Sequence, residues 1–177
     1  MSSHRLVAVS AVGPDRPGIV AGVTRALYEA NCNLADVTST LLSGHFAMLL
    51  IVRAPAELSP QALEDALAGV AAELGLTITV RPVEEGARAP AEPTHMVSVY
   101  GADRPGIVYR VAEVLAAEGA NITDLTSRLI GEPERPVYAL MLEVALRAEA
   151  RVEERLRALG AELGVEVSMH PLEADVL

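Results

Sequence analysis

The segment Gly13-Pro14-Asp15-Arg16-Pro17-Gly18-Ile19-Val20 recurs as Gly101-Ala102-Asp103-Arg104-Pro105-Gly106-Ile107-Val108, and the correspondence runs on without a gap, at an offset of 88, to Leu41 and Leu129. Fourteen of those 29 positions are identical. Unrelated segments do not match so closely over such a length, so the 177 residues read as two copies of one small unit in tandem. The expected boundaries are residues 1–83 for the first domain, 84–93 for a linker and 94–177 for the second domain. From Glu84 to Pro93 there is no branched or aromatic apolar residue, and there are two prolines, so this stretch suits neither a buried strand nor a continuous helix.

Within each copy the periodicity alternates. Leu6 to Val12 is β-rich, as is its counterpart Met96 to Tyr100, and both end at the glycine that opens the repeated turn. Ile19, Val20, Val23 and Leu27 then step at helical spacing, as do Ile107, Val108, Val111 and Leu115. Pro17 and Pro105 suit a first helical turn, where an N–H has no partner in any case, so each helix is expected to start just after Arg16 or Arg104. Asn33 to Leu42 and Phe46 to Arg53 predict a hairpin turning at Ser43-Gly44-His45. Gly131 to Pro136 predicts a longer turn in the second copy, and it shifts the offset to 92. A second helix follows from Leu63, Leu67, Val70 and Leu74, matched by Val152, Leu156, Leu159 and Leu163, with Ser59 as cap and Pro60 in the first turn of the first copy. Leu76 to Pro82 and Val165 to Met169 close the two units as strands.

The order βαββαβ, twice over, predicts an α+β protein of two ferredoxin-like domains, each an antiparallel sheet with both helices on one face. A unit of some 80 residues buries only about 60% of its unfolded surface and keeps open sheet edges. The two copies are therefore expected to pack together, within a chain or between chains, and a homo-oligomer is expected.

Composition narrows the function. A net charge of −10, with no basic helix and no basic patch interleaved with aromatic residues, argues against direct nucleic-acid binding. A transcriptional role would have to run through a DNA-binding partner. The acid is concentrated in residues 94–177, with 14 Asp/Glu against 8 Arg, compared with 7 against 5 in residues 1–83. That excess reads either as a solvated surface or as a face for a basic partner. All 14 basic residues are arginine, so there is no Schiff-base or phosphate-loop lysine. With no apolar run of 18 residues and no signal pattern at the N-terminus, a cytoplasmic protein with no membrane contact is expected. Cys32 is alone, so it forms neither an internal disulfide nor a thiolate cluster and reads as a half-buried small apolar residue. His4, His45, His95 and His170 are isolated, and no Gly-x-Ser-x-Gly elbow occurs. No catalytic residue, metal site or cofactor is expected, and the chain does not read as an enzyme.

The repeated turn offers a different chemistry. A helix start presents unpaired N–H groups and about half a positive charge, which attract a carboxylate. Gly18 and Gly106 let a ligand approach that backbone closely, while Arg16 and Arg104 are placed to add a charge-assisted hydrogen bond. Asp15 and Asp103 suit an ammonium, and the carboxamides of Asn33 and Asn121 offer a donor and an acceptor. A small amino acid fits these groups, and the motif itself supplies no aromatic or long apolar lining. Each residue also has a plainer reading: Asp as a helix cap, Asn as a turn former, Arg as a surface charge. Their coincidence in both copies favours a site in at least one.

Gly-x-Asp-Arg-Pro-Gly-Ile-Val, followed about a dozen residues later by Asn33-Leu34-Ala35-Asp36 or Asn121-Ile122-Thr123-Asp124, resembles the ACT domain over nearly the whole chain. Two such domains and nothing else resemble, within that group, the glycine cleavage system transcriptional repressor family. The resemblance implies an amino acid held across a domain interface at Gly18, Asn33, Gly106 and Asn121, with Ile19, Leu34, Ile107 and Ile122 beside them. It implies glycine or serine as the ligand and a regulatory protein partner such as a transcription factor. Phosphoserine phosphatases and formyltetrahydrofolate deformylases carry the same Asp-Arg-Pro-Gly turn beside catalytic domains. With Leu177 directly after the last strand, a regulator acting on another polypeptide is expected instead. The competing reading is an interaction module whose sheet edges and second sheet face dock a partner without any small molecule.

Overall fold

The computed structural model describes residues 4–84, 91–146 and 151–172. Its elements are β1 (His4–Pro14), α1 (Ile19–Glu29), β2 (Asn33–Leu42), β3 (His45–Pro55), α2 (Pro60–Leu74) and β4 (Thr77–Pro82), then β5 (His95–Gly101), α3 (Ile107–Ala117), β6 (Asn121–Glu132), β7 (Arg135–Ala145), α4 (Val152–Leu163) and β8 (Val165–Pro171). The chain divides into two compact units between Ala87 and Arg88. Of the expected linker, residues 85–90 lie outside the described residues. Each unit is one antiparallel four-stranded sheet, in the order β2-β3-β1-β4 or β6-β7-β5-β8. This is the ferredoxin-like fold, built twice.

Strand alternation fixes which face each unit buries. In the first, Val7, Val9 and Ala11 of β1 and Met48, Leu50, Val52 and Ala54 of β3 turn toward Ile19, Val23 and Leu27 of α1 and Leu63 and Leu67 of α2. The second repeats this with Val97, Val99, Leu140, Leu142 and Val144 under Ile107, Val111, Leu115, Leu156 and Leu159. Val20, expected on the helix's apolar face, is exposed, because the buried stripe of α1 steps by four through Ile19, Val23 and Leu27 and leaves its neighbour outside. Cys32 is half-buried against the first core. Among the described residues no helix is long and apolar enough to cross a membrane, and no group of three His, Cys, Asp or Glu side chains is placed to hold a metal ion.

Two local expectations are corrected. The helix after the repeated turn begins at Ile19, one residue beyond an N-cap glycine, so Pro17 precedes the helix and is not part of its first turn. Gly18 has φ 94° and ψ −3°, and Gly106 φ 92° and ψ −1°, the values of the third residue of a type II turn, which favours proline just before it. The second hairpin does not have the longer turn that its extra residues predict. Gly131 pairs with Pro136 and Glu132 with Arg135, so the insertion lengthens the strands by two pairs and leaves only Pro133 and Glu134 to turn the chain.

Candidate functional site

The residues of the repeated turn sit where β1 or β5 hands over to its helix. Asp15 is exposed, and its N–H donates to the carbonyl of Gly44 at 2.9 Å, which ties the turn to the β2–β3 hairpin. It does not cap α1: both α1 and α3 begin without a side-chain cap and without an acidic residue in the first turn. The other two helices differ. Ser59 Oγ accepts from the Ala62 N–H at the start of α2, and Glu153 and Glu154 stand in the first turn of α4. Among the described residues the two motif helices therefore have neither a side-chain cap nor a first-turn acid at their positive ends. A Cβ built at Gly18 or Gly106 meets nothing within 4 Å, so the approach to these helix starts is open.

Arg16 and Arg104 have a role that the motif alone does not show. Arg16 Nη1 donates to the Glu73 carbonyl at 3.1 Å, and Arg104 Nη1 donates to the Leu163 carbonyl at 3.3 Å. Each guanidinium thus serves the C-terminal end of its unit's second helix, where a cation is favoured. Ile19 and Ile107, both 2% exposed, are core residues, so only their backbone can face a ligand. Their side chains belong to the stripe that seats each helix on its sheet.

The strand-start residues lie elsewhere. Asn33 pairs with Arg53, which pairs in turn with Leu6, whereas Pro14 at the head of the turn pairs with His45 beside Leu42. Asn33 and Gly18 are therefore at opposite ends of the unit, separated by the 11 residues of α1, or about 16 Å of helix. Asn121 and Gly106 are separated in the same way. Among the described residues neither asparagine carboxamide makes a hydrogen bond, and both side chains are exposed. Leu34 is exposed and Ile122 packs on the second core.

Hollows border both helix starts, with different linings. One of about 340 Å³ includes Pro17, Gly18, Arg25, Val70 and Glu73. Another of about 460 Å³ includes Asp103, Arg104, Gly106, Tyr109 and Tyr138. The motif itself supplies no aromatic residue, but in the second unit Tyr109 and Tyr138, from outside it, border the hollow. Tyr138 arrives from β7, and its alignment with Phe46 was the available signal. Exposed Tyr109 donates to Glu113 Oε1 at 2.8 Å, and that bond and the carboxylate's charge push its phenol pKa up.

The ACT-domain family model matches residues 5–81 and 94–170, one match on each unit. The chain belongs to the ACT-domain family. It is 28% identical over 96% of its length to the glycine cleavage system transcriptional repressor of Escherichia coli, covering 92% of that protein. A UPF0237 protein of Methanopyrus kandleri is 39% identical over 41% of the chain, spanning 82% of its own length, so it matches a single ACT unit. Among solved structures, an unknown protein from Galdieria sulphuraria superposes with a TM-score of 0.81 at 27% identity, over 97% of this chain and 100% of that one. A protein provisionally assigned as a glycine cleavage system transcriptional repressor superposes at 0.72 with 20% identity, over 98% and 100%, which shows the shared fold.

Proposed function

We propose that this tandem ACT protein is a non-enzymatic regulator that binds a small amino acid and acts through a protein partner such as a transcription factor. The observation that carries this reading is the pair of uncapped helix starts at Gly18 and Gly106, which among the helices of the described residues alone have neither a side-chain cap nor a first-turn acid. A carboxylate supplies the missing negative charge there. The helix start and the free carboxamide lie at opposite ends of one unit, so a complete site takes Gly18 or Gly106 from one ACT unit and Asn33 or Asn121 from a second. Antiparallel pairing along the free β2-type edge brings those opposite ends together. All ten residues of β2 are exposed, and the strand carries neither proline nor arginine, whereas β4 ends in Arg81-Pro82 and has its Val80 N–H held by Glu64.

In this arrangement Asp15 or Asp103 takes the ammonium, and Arg16 or Arg104, with donors left over from the helix carbonyl, steadies the turn. Glycine or serine is the proposed ligand, glycine because of the repressor relative. A net charge of −10 supports action through a partner in place of direct contact with DNA, and the proposed setting is the cytoplasm.

A thermal-shift screen tests the reading, since a ligand that binds only the folded state raises the melting temperature. Glycine and serine are expected to raise it, larger amino acids to do so less, and glycinamide, which lacks the carboxylate, not at all. If no amino acid moves it at millimolar concentration, the chain is an interaction module.

A further inference from the structure

Each sheet has a second face, turned away from its helices. In the first unit Val12, Leu42 and Leu49 lie there with Ala8, Ala47 and Ile51, and Leu49 is 48% exposed. In the second the same face carries Tyr100, Ile130, Val137 and Met141, with Met141 44% exposed. Apolar side chains at the middle of a sheet face mark an interaction surface, not a solvated one.

The charges on the two faces are opposite in balance. Strand register puts Arg53 and Arg81 against Asp36 on the first face, an excess of one positive charge. On the second it puts Asp124, Glu132, Glu143 and Glu166 against Arg128 and Arg135, an excess of two negative charges. None of these groups is in an ion pair among the described residues. Asp124 and Glu143 stand directly opposite each other across β6 and β7, a like-charge pair that destabilises a sheet in isolation. At the matching place the first unit has Asp36 opposite Ile51. The two copies keep the same apolar pattern on their helix-covered faces and differ in charge on their open ones. The second face is also concave, with a hollow of about 470 Å³ bounded by Met96, Tyr100, Asp124, Arg128, Met141 and Glu143, where two acids stand against one arginine.

We infer that the open sheet face of the first unit docks on the open sheet face of the second unit of another copy of this chain. Leu49 and Ile51 enter the hollow, and Arg53 and Arg81 meet the acids around it. The contact is sheet on sheet, about 10 Å deep, and leaves the β2-type edges free; Arg53 stands opposite Asn33, so self-association is read with and without glycine.

Sedimentation equilibrium on the full chain tests this with two charge-reversed variants, Arg53→Glu with Arg81→Glu, and Glu143→Arg with Glu166→Arg. All four substituted residues lie on the sheet surface, and circular dichroism checks that the variants fold. Wild type is expected above the mass of one chain. Each variant should self-associate at least tenfold more weakly, and an equimolar mixture of the two should recover the wild-type mass, because reversed faces then match. A single-chain mass for wild type, which is also the outcome if the faces meet within one chain, overturns the inference. So does full association of either variant alone, or a loss that mixing does not restore. Adding glycine to each sample separates this surface from the ligand site: the inference predicts that the effect of charge reversal persists with and without it, and masses that follow glycine alone contradict it.

Discussion

Gly18 does two things that the motif does not separate. Its φ of 94° is left-handed, and a Cβ there meets nothing within 4 Å, so glycine is needed for the turn whether or not a ligand comes near. Gly18→Ala is expected to destabilise the fold by about 1–2 kcal/mol without a clash, the ordinary penalty for an L-residue in this region, and Gly18→Val by more. The check is the urea unfolding midpoint, and no change in either variant would mean the turn relaxes. A valine there is therefore no clean probe of carboxylate binding, whereas the exposed Asn33 and Asn121 are. Cys32 offers a pH test. Burial pushes its thiol pKa up, so the folded state favours the protonated form. That contribution is whole below the thiol's ordinary range and is lost as pH rises through the raised value. The midpoint of the alkylation pH–rate profile is expected to be higher in the native protein than in the urea-unfolded chain, and coincident midpoints would contradict it. The Asp-Arg-Pro-Gly turn was legible in sequence as a repeated unit. The work of Arg16 was not, since it depends on a carbonyl 57 residues away.

At the scale of elements, sequence periodicity located the strands and helices among the described residues, chiefly because most have one buried face that apolar spacing records directly; β2, exposed along its whole length, was placed by the hairpin turn that follows it. Sequence reading misjudged the second hairpin, where Gly131 and Pro136 read as turn residues but continue the ladder. Nor does apolar spacing show which sheet edges are protected. Val80, on the edge strand β4, donates its N–H to Glu64 Oε2 at 2.8 Å, so a carboxylate from α2 occupies a position that another strand would otherwise use. Glu64→Ala is expected to cost about 1 kcal/mol by removing that acceptor. It should also speed hydrogen exchange at Val80 more than at Val9, its partner in the sheet interior. Equal acceleration at both amides would mean global destabilisation and not an opened edge.

For the whole molecule, duplication is the organising fact. The two units share a core pattern and a turn, and they diverge in the charges on their open sheet faces and in the aromatic residues beside Gly106. The candidate residues were readable from sequence, but their placement at opposite ends of each unit was not. Linear spacing of 15 residues between Gly18 and Asn33 hides a helix that carries the chain back across the sheet. The proposed amino-acid site rests on these residues, and calorimetric titration tests it most directly. Glycine and serine are to be titrated into wild type, Asn33→Ala, Asn121→Ala and the double variant. The account predicts saturable binding to wild type and a loss of about 1–3 kcal/mol, roughly 5- to 150-fold in affinity, in at least one asparagine variant. Binding unchanged in the double variant, or no binding of any amino acid to wild type at millimolar concentration, would contradict it.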